Sequence, residues 1–328
     1  MILTVTLNTA LDVTYRVPRL HPHTSHRVTG ACERPGGKGL NVARVLAALG
    51  HEVTATGFAG GPVGTVLRDL LADSPGVVDA LVPCAGDTRR TLAVVDEASG
   101  DTTQFNEPGP HITPAEWTGF LSRYSELLAG ARAVALCGSL PPGVPVGSYA
   151  LLIRTARAAG VPVLLDTGGE ALRRGVAARP EMIKPNAAEL AELTGSRDPL
   201  PATRDARRRG AHAVVTSLGP GGLLADTADG TWRATPPRVL SGNPTGAGDS
   251  AVAGLLSGLA EGLDWPERLT RAVALSAATV HAPAAGEFDA RTYEEFRDTV
   301  TVTGAAPTGP PDTHRGARPH NRRVGRRT

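Results

Sequence analysis

The residues best placed to do chemistry are Asn243-Pro244-Thr245-Gly246-Ala247-Gly248-Asp249-Ser250, which run directly into the apolar Ala251-Val252-Ala253-Gly254-Leu255-Leu256. Gly246 and Gly248 have no Cβ, so the backbone can turn sharply and bring its N–H groups close to a ligand. The first N–H groups of a helix lack intrahelical acceptors and lie at the positive end of its dipole. A glycine turn feeding a helix is therefore a site for an anion such as a phosphate oxygen. Asp249 places a carboxylate beside that anion hole, where an attacking hydroxyl needs a base during phosphoryl transfer. Asp is also a good cap near a helix start, so both readings of Asp249 stand on this stretch alone.

A second group of polar residues falls where strands are predicted to end. Asp12, Ser139, Asp166, Lys184, Asn186 and the Ser217–Gly222 loop each follow a short apolar run. Each alone could cap or turn the chain. Together they exceed what capping needs, and in an open α/β sheet they would share the carboxyl edge where ligands bind. That edge would be a polar-substrate site with a nucleotide loop.

The elements that must position them read as α/β. Ile2–Leu7 is a buried first strand, and Pro35-Gly36-Gly37-Lys38-Gly39-Leu40-Asn41 leads into a helix through Val42, Val45, Leu46 and Leu49. From Pro114 onward helices (114–129, 147–159, 199–209, 247–262, 266–281) alternate with strands (132–137, 161–165, 214–218). This predicts a three-layer α/β/α fold with a mostly parallel sheet. Val13, Tyr15 and Val17 alternate in the polar segment 13–31, and Thr91–Asp96 and Thr102–Asn106 flank a hairpin turn at Ala98-Ser99-Gly100. These pieces predict a small second sheet. One domain over 1–303 is expected, with lid segments at about 12–32 and 86–107.

Composition narrows the function classes. Hydrophobic residues make up 41% of 328 residues, ample for a core, and the net charge is +2. Six Arg and one Asp lie from Gly304 onward, so the first 303 residues carry a net −3. The folded part therefore has no basic signature of nucleic-acid binding. Residues 304–328 are Pro-, Gly- and Arg-rich and are expected to be a disordered, solvated tail; a nucleic-acid-binding arm is the sharper alternative. Cys32, Cys84 and Cys137 show neither disulfide nor metal spacing. His21, His23 and His26 could suggest a metal, but Pro18 and Pro22 interrupt regular ligand geometry and a solvated loop is expected. No apolar run reaches membrane-span length and the N-terminus lacks a signal-peptide pattern, so a cytoplasmic protein is expected.

Two well-known phosphate loops are disfavoured. A Walker A motif fails because Cys32 stands where its first Gly should be and Gly39 follows Lys38 in place of Ser or Thr. A dinucleotide fingerprint would need GxGxxG after the first strand, where Asn8-Thr9-Ala10 stands.

Pro35-Gly36-Gly37-Lys38-Gly39-Leu40-Asn41-Val42-Ala43 and Thr245-Gly246-Ala247-Gly248-Asp249-Ser250 together resemble the two signatures of the PfkB (ribokinase-like) carbohydrate kinases. The resemblance covers about residues 1–290. Asn8-Thr9-Ala10-Leu11-Asp12, Gly138-Ser139-Leu140-Pro141-Pro142-Gly143 and Lys184-Pro185-Asn186 are similar to the branch acting on phosphorylated ketohexoses, which includes 1-phosphofructokinase, tagatose-6-phosphate kinase and the minor 6-phosphofructokinase. Asn243-Pro244-Thr245 departs from the Thr-Val-type pair usual there. Pro244 has no N–H to donate, which leaves Ala247 and Gly248 as the usual donors.

The resemblance implies an ATP- and Mg²⁺-dependent kinase. Asp249 would be the general base, and Gly246, Ala247 and Gly248 the anion hole. Asp12, Gly37 and Asn41 would bind sugar hydroxyls. Lys38 and Arg89, assisted by Ser139, would hold the substrate's own phosphate. Arg90 is the alternative to Arg89, and on a strand only one of the two can face the site. Asp166, Lys184, Asn186, Ser217, Gly219 and Gly222 would contact nucleotide and phosphates. Asn186 and Glu189 resemble the family's NxxE element and would orient Mg²⁺ through water, although Asn-x-x-Glu fits a capping box nearly as well. The lid would exclude water and could make a homodimer contact.

Fructose 1-phosphate is the expected acceptor, with fructose 6-phosphate and tagatose 6-phosphate as alternatives. A kinase of an unphosphorylated sugar or nucleoside, or a silent sugar-phosphate sensor, are the rival functions.

Overall fold

The computed structural model describes residues 1–305. The first half contains β1 (Ile2–Thr6), β2 (Ala10–Val17), β3 (Gly30–Gly36), α1 (Lys38–Ala48), β4 (Val53–Ala59), α2 (Gly61–Ala72), β5 (Val77–Asp79), β6 (Val82–Pro83), β7 (Arg89–Asp96) and β8 (Thr102–Asn106). It continues with α3 (Pro114–Leu128), β9 (Ala133–Cys137), α4 (Ser148–Ala158), β10 (Val163–Asp166), α5 (Gly169–Ala177) and β11 (Met182–Ile183). The last third holds α6 (Ala187–Thr194), α7 (Pro199–Arg208), β12 (Ala213–Ser217), β13 (Leu223–Thr227), β14 (Gly230–Thr235), α8 (Ala247–Glu261), α9 (Trp265–Val280), α10 (Ala290–Arg297) and β15 (Thr301–Ala305).

Eleven strands form the large sheet in the order β15-β14-β13-β12-β11-β10-β9-β1-β4-β5, with β6 beside β4. From β12 to β5 and β6 the pairings are parallel; β12-β13-β14-β15 is an antiparallel extension. Alternation along the central strands feeds two cores. Ile2, Ala133, Ala135 and Cys137 face α1, α2 and α8–α10, whereas Leu3, Val5, Val134 and Leu136 face α3–α7. The result is the three-layer α/β/α arrangement expected from the alternation. α8 is buried from Asp249 through Gly258, as a helix that is apolar nearly all round should be.

The second sheet has the order β3-β2-β7-β8, so the 13–31 segment and the 91–106 hairpin do join. β2 pairs with β7 in parallel register, Ala10 opposite Arg89 and Asp12 opposite Thr91. Asp12, Arg89 and Thr91 therefore share one face, and Leu11, Val13 and Arg90 the other.

Among the elements that the sequence pattern does not predict are α5, the two-residue β11, α10 and β15. β15 corrects the expected boundary at 303/304. Thr301–Ala305 pairs with β14, and Gly304 lies where a Cβ would overlap the Trp232 ring, so the ring fits against bare backbone. The rest of the expected tail, 306–328, lies outside the described residues. Among the described residues no helix is long and apolar enough to cross a membrane.

Candidate active site

Gly246 adopts φ 85°, the left-handed conformation that suits glycine, and caps α8. The loop before it is braced locally: Asn243 Oδ1 accepts from the Thr245 N–H at 3.0 Å, and the Pro244 carbonyl from the Ala247 N–H at 3.0 Å. This last bond corrects one expectation, since the Ala247 N–H closes a turn and does not point freely at an anion. The N–H groups of Gly246, Gly248 and Asp249 take no protein acceptor among the described residues.

Asp249, in the first turn of α8, is only 7% exposed. Asn41 Nδ2, from α1, donates to its Oδ2 at 2.8 Å. Burial pushes its pKa up to about 6; Lys38, the Asn41 hydrogen bond and Lys184 oppose the shift, while Asp166 adds to it. A carboxylate near that value is a better proton acceptor than an ordinary Asp, yet it is ionised at neutral pH.

Asp166 ends β10, fully buried, between two ammonium groups. Lys38 Nζ lies 3.3 Å from its Oδ2 and Lys184 Nζ 3.4 Å from its Oδ1. Burial alone would raise the Asp166 pKa, but the two lysines hold it below the usual carboxylate value. Burial likewise opposes the Lys38 charge, and Asp166, Asp249 and Glu189 outweigh it, so its pKa stands above the ordinary lysine value. A Cβ on Gly248 would sit 3.7 Å from Lys184 Nζ, which puts that amine against the glycine loop. Two cations, the free N–H groups of α8 and a base thus converge on one anion-sized region.

A second polar group lies against the small second sheet. Asp12 occupies space that exists only because Gly36 has no Cβ; a side chain there would overlap its carboxylate. Burial raises the Asp12 pKa to about 6 against the pull of Arg89, Thr91 and Arg44. Arg89 donates to the carbonyls of Asn8 at 3.4 Å and Glu107 at 3.3 Å, and to Thr91 Oγ1 at 3.4 Å. Arg90 lines a hollow with Leu11, Val63 and Val66 on the opposite face. Asn8 Nδ2 donates to Ser139 Oγ and to the Pro108 carbonyl, both at 3.1 Å. Asn8 is the residue missed by sequence reasoning here: its backbone holds Arg89 and its side chain holds Ser139. Its place at the end of β1 was the available signal.

The geometry separates two residues that the sequence reading had put together. Arg89 stands with Asp12, whereas Lys38 stands with Asp166 and Asp249. Asn41, expected on sugar hydroxyls, uses its amide on Asp249; its Oδ1 is buried without a partner among the described residues. Gly37 is the N-cap of α1 at φ 99°, which turns Lys38 into the cleft.

A cavity of about 470 Å³ adjoins the glycine loop, lined by Ser217, Gly219, Gly222, Arg238, Pro244, Ala247, Gly248 and Val280 among others. Its size suits a small organic ligand. Asn186 bridges Ser217 of that lining, and with Glu189 it forms a complete capping box for α6: Asn186 Oδ1 accepts from the Glu189 N–H at 2.9 Å, and Glu189 Oε2 from the Asn186 N–H at 2.8 Å. The structural reading of this pair is realised. No cluster of three or more potential metal ligands occurs among the described residues.

A family model described as pfkB family carbohydrate kinase matches residues 4–291. The chain belongs to the pfkB family. It is a carbohydrate kinase, a phosphotransferase acting on an alcohol. Among solved structures, phosphofructokinase-2 of Escherichia coli in complex with fructose-6-phosphate is 34% identical over 90% of this chain and 98% of its own, with a TM-score of 0.84. A possible 1-phosphofructokinase of Thermotoga maritima is 28% identical over 93% and 99%, with a TM-score of 0.85. The E. coli protein has also been solved as a tetrameric inhibited form, 34% identical over 90% and 98%, TM-score 0.84.

For a pfkB kinase with this cleft, an acid limb follows from the two carboxylates raised to about 6. If Asp249 takes a proton and Asp12 accepts hydroxyl hydrogen bonds, both act as anions. Activity is therefore present above their pKa values and lost as pH falls through about 6. The plot of log kcat/KM against pH should steepen beyond a slope of one there; a flat profile down to pH 5 would remove both assignments.

Proposed function

We propose that this kinase phosphorylates a ketohexose monophosphate, with fructose 1-phosphate converted to fructose 1,6-bisphosphate as the first choice. The observation that carries the reading is the convergence of Asp249, Lys38, Lys184 and the free N–H groups of α8, with Arg89 and Asp12 under the lid beside them. Asp12 and the Asn41 carbonyl oxygen orient the acceptor sugar's hydroxyls. Arg89, with Ser139, takes the phosphate the sugar already carries. Asp249 accepts the proton of the attacking hydroxyl as its oxygen bonds to the γ-phosphorus of ATP, and the bridging oxygen leaves with ADP. Lys38, Lys184 and the N–H groups of Gly246, Gly248 and Asp249 offset the charge on the transferred group. Lys38 thus serves the phosphoryl group in flight, a change from its expected role on the substrate's own phosphate.

ATP fits the 470 Å³ cavity, which opens onto the glycine loop. Glu189 is the carboxylate facing Lys38 that retains a second oxygen outside its cap, so Asn186 and Glu189 suit a Mg²⁺ ion that keeps most of its waters. When bound, Mg²⁺ would neutralise charge on the nucleotide phosphates. A cytoplasmic location agrees with this chemistry.

Fructose 6-phosphate is the second reading, favoured by the 34% identity to E. coli phosphofructokinase-2. The deciding experiment measures phosphate transfer to fructose 1-phosphate, fructose 6-phosphate, tagatose 6-phosphate, fructose and a nucleoside. Arg89→Ala should raise KM for the sugar phosphate by about 10- to 100-fold, the worth of one charge-assisted phosphate contact, and leave KM for ATP unchanged. Activity confined to free sugars would remove the substrate class and the Arg89 role together.

The outer face of the lid sheet supports a homodimer. Leu11 and Val13 of β2 are covered by α2, and beyond them Tyr15 of β2 and Leu92 and Val94 of β7 are half-buried and Phe105 of β8 is 59% exposed. Sedimentation of Phe105→Asp against wild type tests this: equal mass would exclude the face.

A further inference from the structure

Glu287 belongs to none of the motifs above, yet it joins three parts of the site. It lies in the loop between α9 and α10. Its Oε1 stands 3.2 Å from Arg34 Nε on lid strand β3 and 2.7 Å from Arg44 Nη2 on α1. Arg34 is paired in register with Asp12, so it projects from the same site-facing side of the lid. Arg44 is 11% exposed, and its Nη1 also donates to the Ala285 carbonyl at 3.0 Å. Ala285 abuts the anion loop, where a Cβ on Gly246 would come within 2.8 Å of the Ala285 Cβ. One turn before Arg44 on α1 is Asn41, which holds Asp249.

We propose that Glu287 is a positioning residue for phosphoryl transfer: a single carboxylate oxygen ties the lid strand paired to Asp12 onto the helix that orients Asp249. The sugar must touch both carboxylates at once, so their separation has to be fixed across a junction between two sheets. The two sheets share no ladder; besides the one-residue Gly37 link from β3 to α1 and the packing of α2 on β2 and β3, this carboxylate is a side-chain tie from the lid to α1. An isolated exposed ion pair contributes little. Here one partner is nearly buried and the acceptor is shared, so the three groups act as a network. The proposal rests on the kinase reading above for its catalytic consequence, but not for its structural one.

The test uses the full-length enzyme with Arg34→Ala, Glu287→Gln and the double variant. Arg34 is 38% exposed, so its truncation leaves the core intact. Glu287→Gln keeps the side chain's size and one acceptor. Hydrogen exchange of the β2 and β3 amides, measured without ligand, should quicken in each variant. With fructose 1-phosphate or fructose 6-phosphate as acceptor, KM for the sugar phosphate should rise about fivefold, while KM for ATP stays within about twofold. The double variant should resemble the single ones, because both remove the same link. Unchanged lid exchange would overturn the proposal. So would faster exchange with an unaltered sugar-phosphate KM, or a double variant whose effect is the product, about 25-fold. If the wild type phosphorylates no ketohexose phosphate, the substrate reading fails and lid exchange alone decides the role of Glu287.

Discussion

Replacing Asp249 by Asn should lower kcat by about a thousandfold and, at neutral pH, make the protein more stable. The first half follows from losing the proposed base, whose carboxylate stands in the first turn of α8; general base catalysis is worth roughly 10²–10⁴ in rate. Asn retains the acceptor for Asn41 Nδ2, so the variant keeps the geometry without the basicity. The second half follows from the raised pKa. A group near 6 in the folded chain and 3.8 unfolded favours folding fully below 3.8, and this contribution is lost as pH rises through 6. At pH 8 the ionised wild type carries a penalty of up to about 3 kcal/mol that an amide escapes. Thermal melts at pH 8 and pH 4 check it: the variant should melt higher at pH 8, and the difference should shrink at pH 4. Turnover above a tenth of wild type would show that the proton goes elsewhere.

Asp166→Ala should have the opposite sign on stability and a comparable cost in activity. Its carboxylate is 1% exposed and faces two ammonium groups, of which Lys184 is 4% exposed. Removing one partner of a buried ion pair costs about 3–5 kcal/mol, because the remaining charge is stranded. Asp249 can take over part of the Lys38 charge, so the lower end of that range is expected. The Asp166 pKa is depressed, so its contribution is present above 3.8 and is lost as pH falls through the folded value. The deficit of the variant should be full at pH 7 and narrow below pH 4. Asp166 also raises the Asp249 pKa, so the acid limb of kcat/KM should move to lower pH in whatever fraction folds. A variant as stable as wild type at pH 7 would mean that the lysines are solvated.

The large sheet with its flanking helices and the small second sheet were legible because their signals are local and strong. Alternation of Val13, Tyr15 and Val17, the Ala98-Ser99-Gly100 turn and the repeated helix–strand pattern each specify one element. Elements without such a signal escaped. α10 buries only Thr292, Tyr293 and Phe296, so its periodicity is faint among charged residues. β11 is two residues long, and β15 contains Gly304, whose merit is visible only beside Trp232. At the site the residue types were readable and the directions were not. Lys38 follows Gly36-Gly37, but the φ of Gly37 and the depth of Asp166 decide that its amine meets that carboxylate rather than Arg89. The Ala247 N–H was a reasonable donor until the turn closed by the Pro244 carbonyl took it.

The two-faced β2 sets a limit on how this enzyme can change. Asp12 looks inward and its neighbours Leu11 and Val13 look outward, so inserting one residue ahead of Asp12 would exchange every odd position for every even one. With the insertion ahead of Leu11, the carboxylate would move to the face that Val63 and Val66 line and the leucine to the face shared with Arg89 and Thr91, two losses from one event. Evolution can exchange letters along this strand but cannot lengthen it by one, which makes the length of β2 as much an inherited trait as any residue in it.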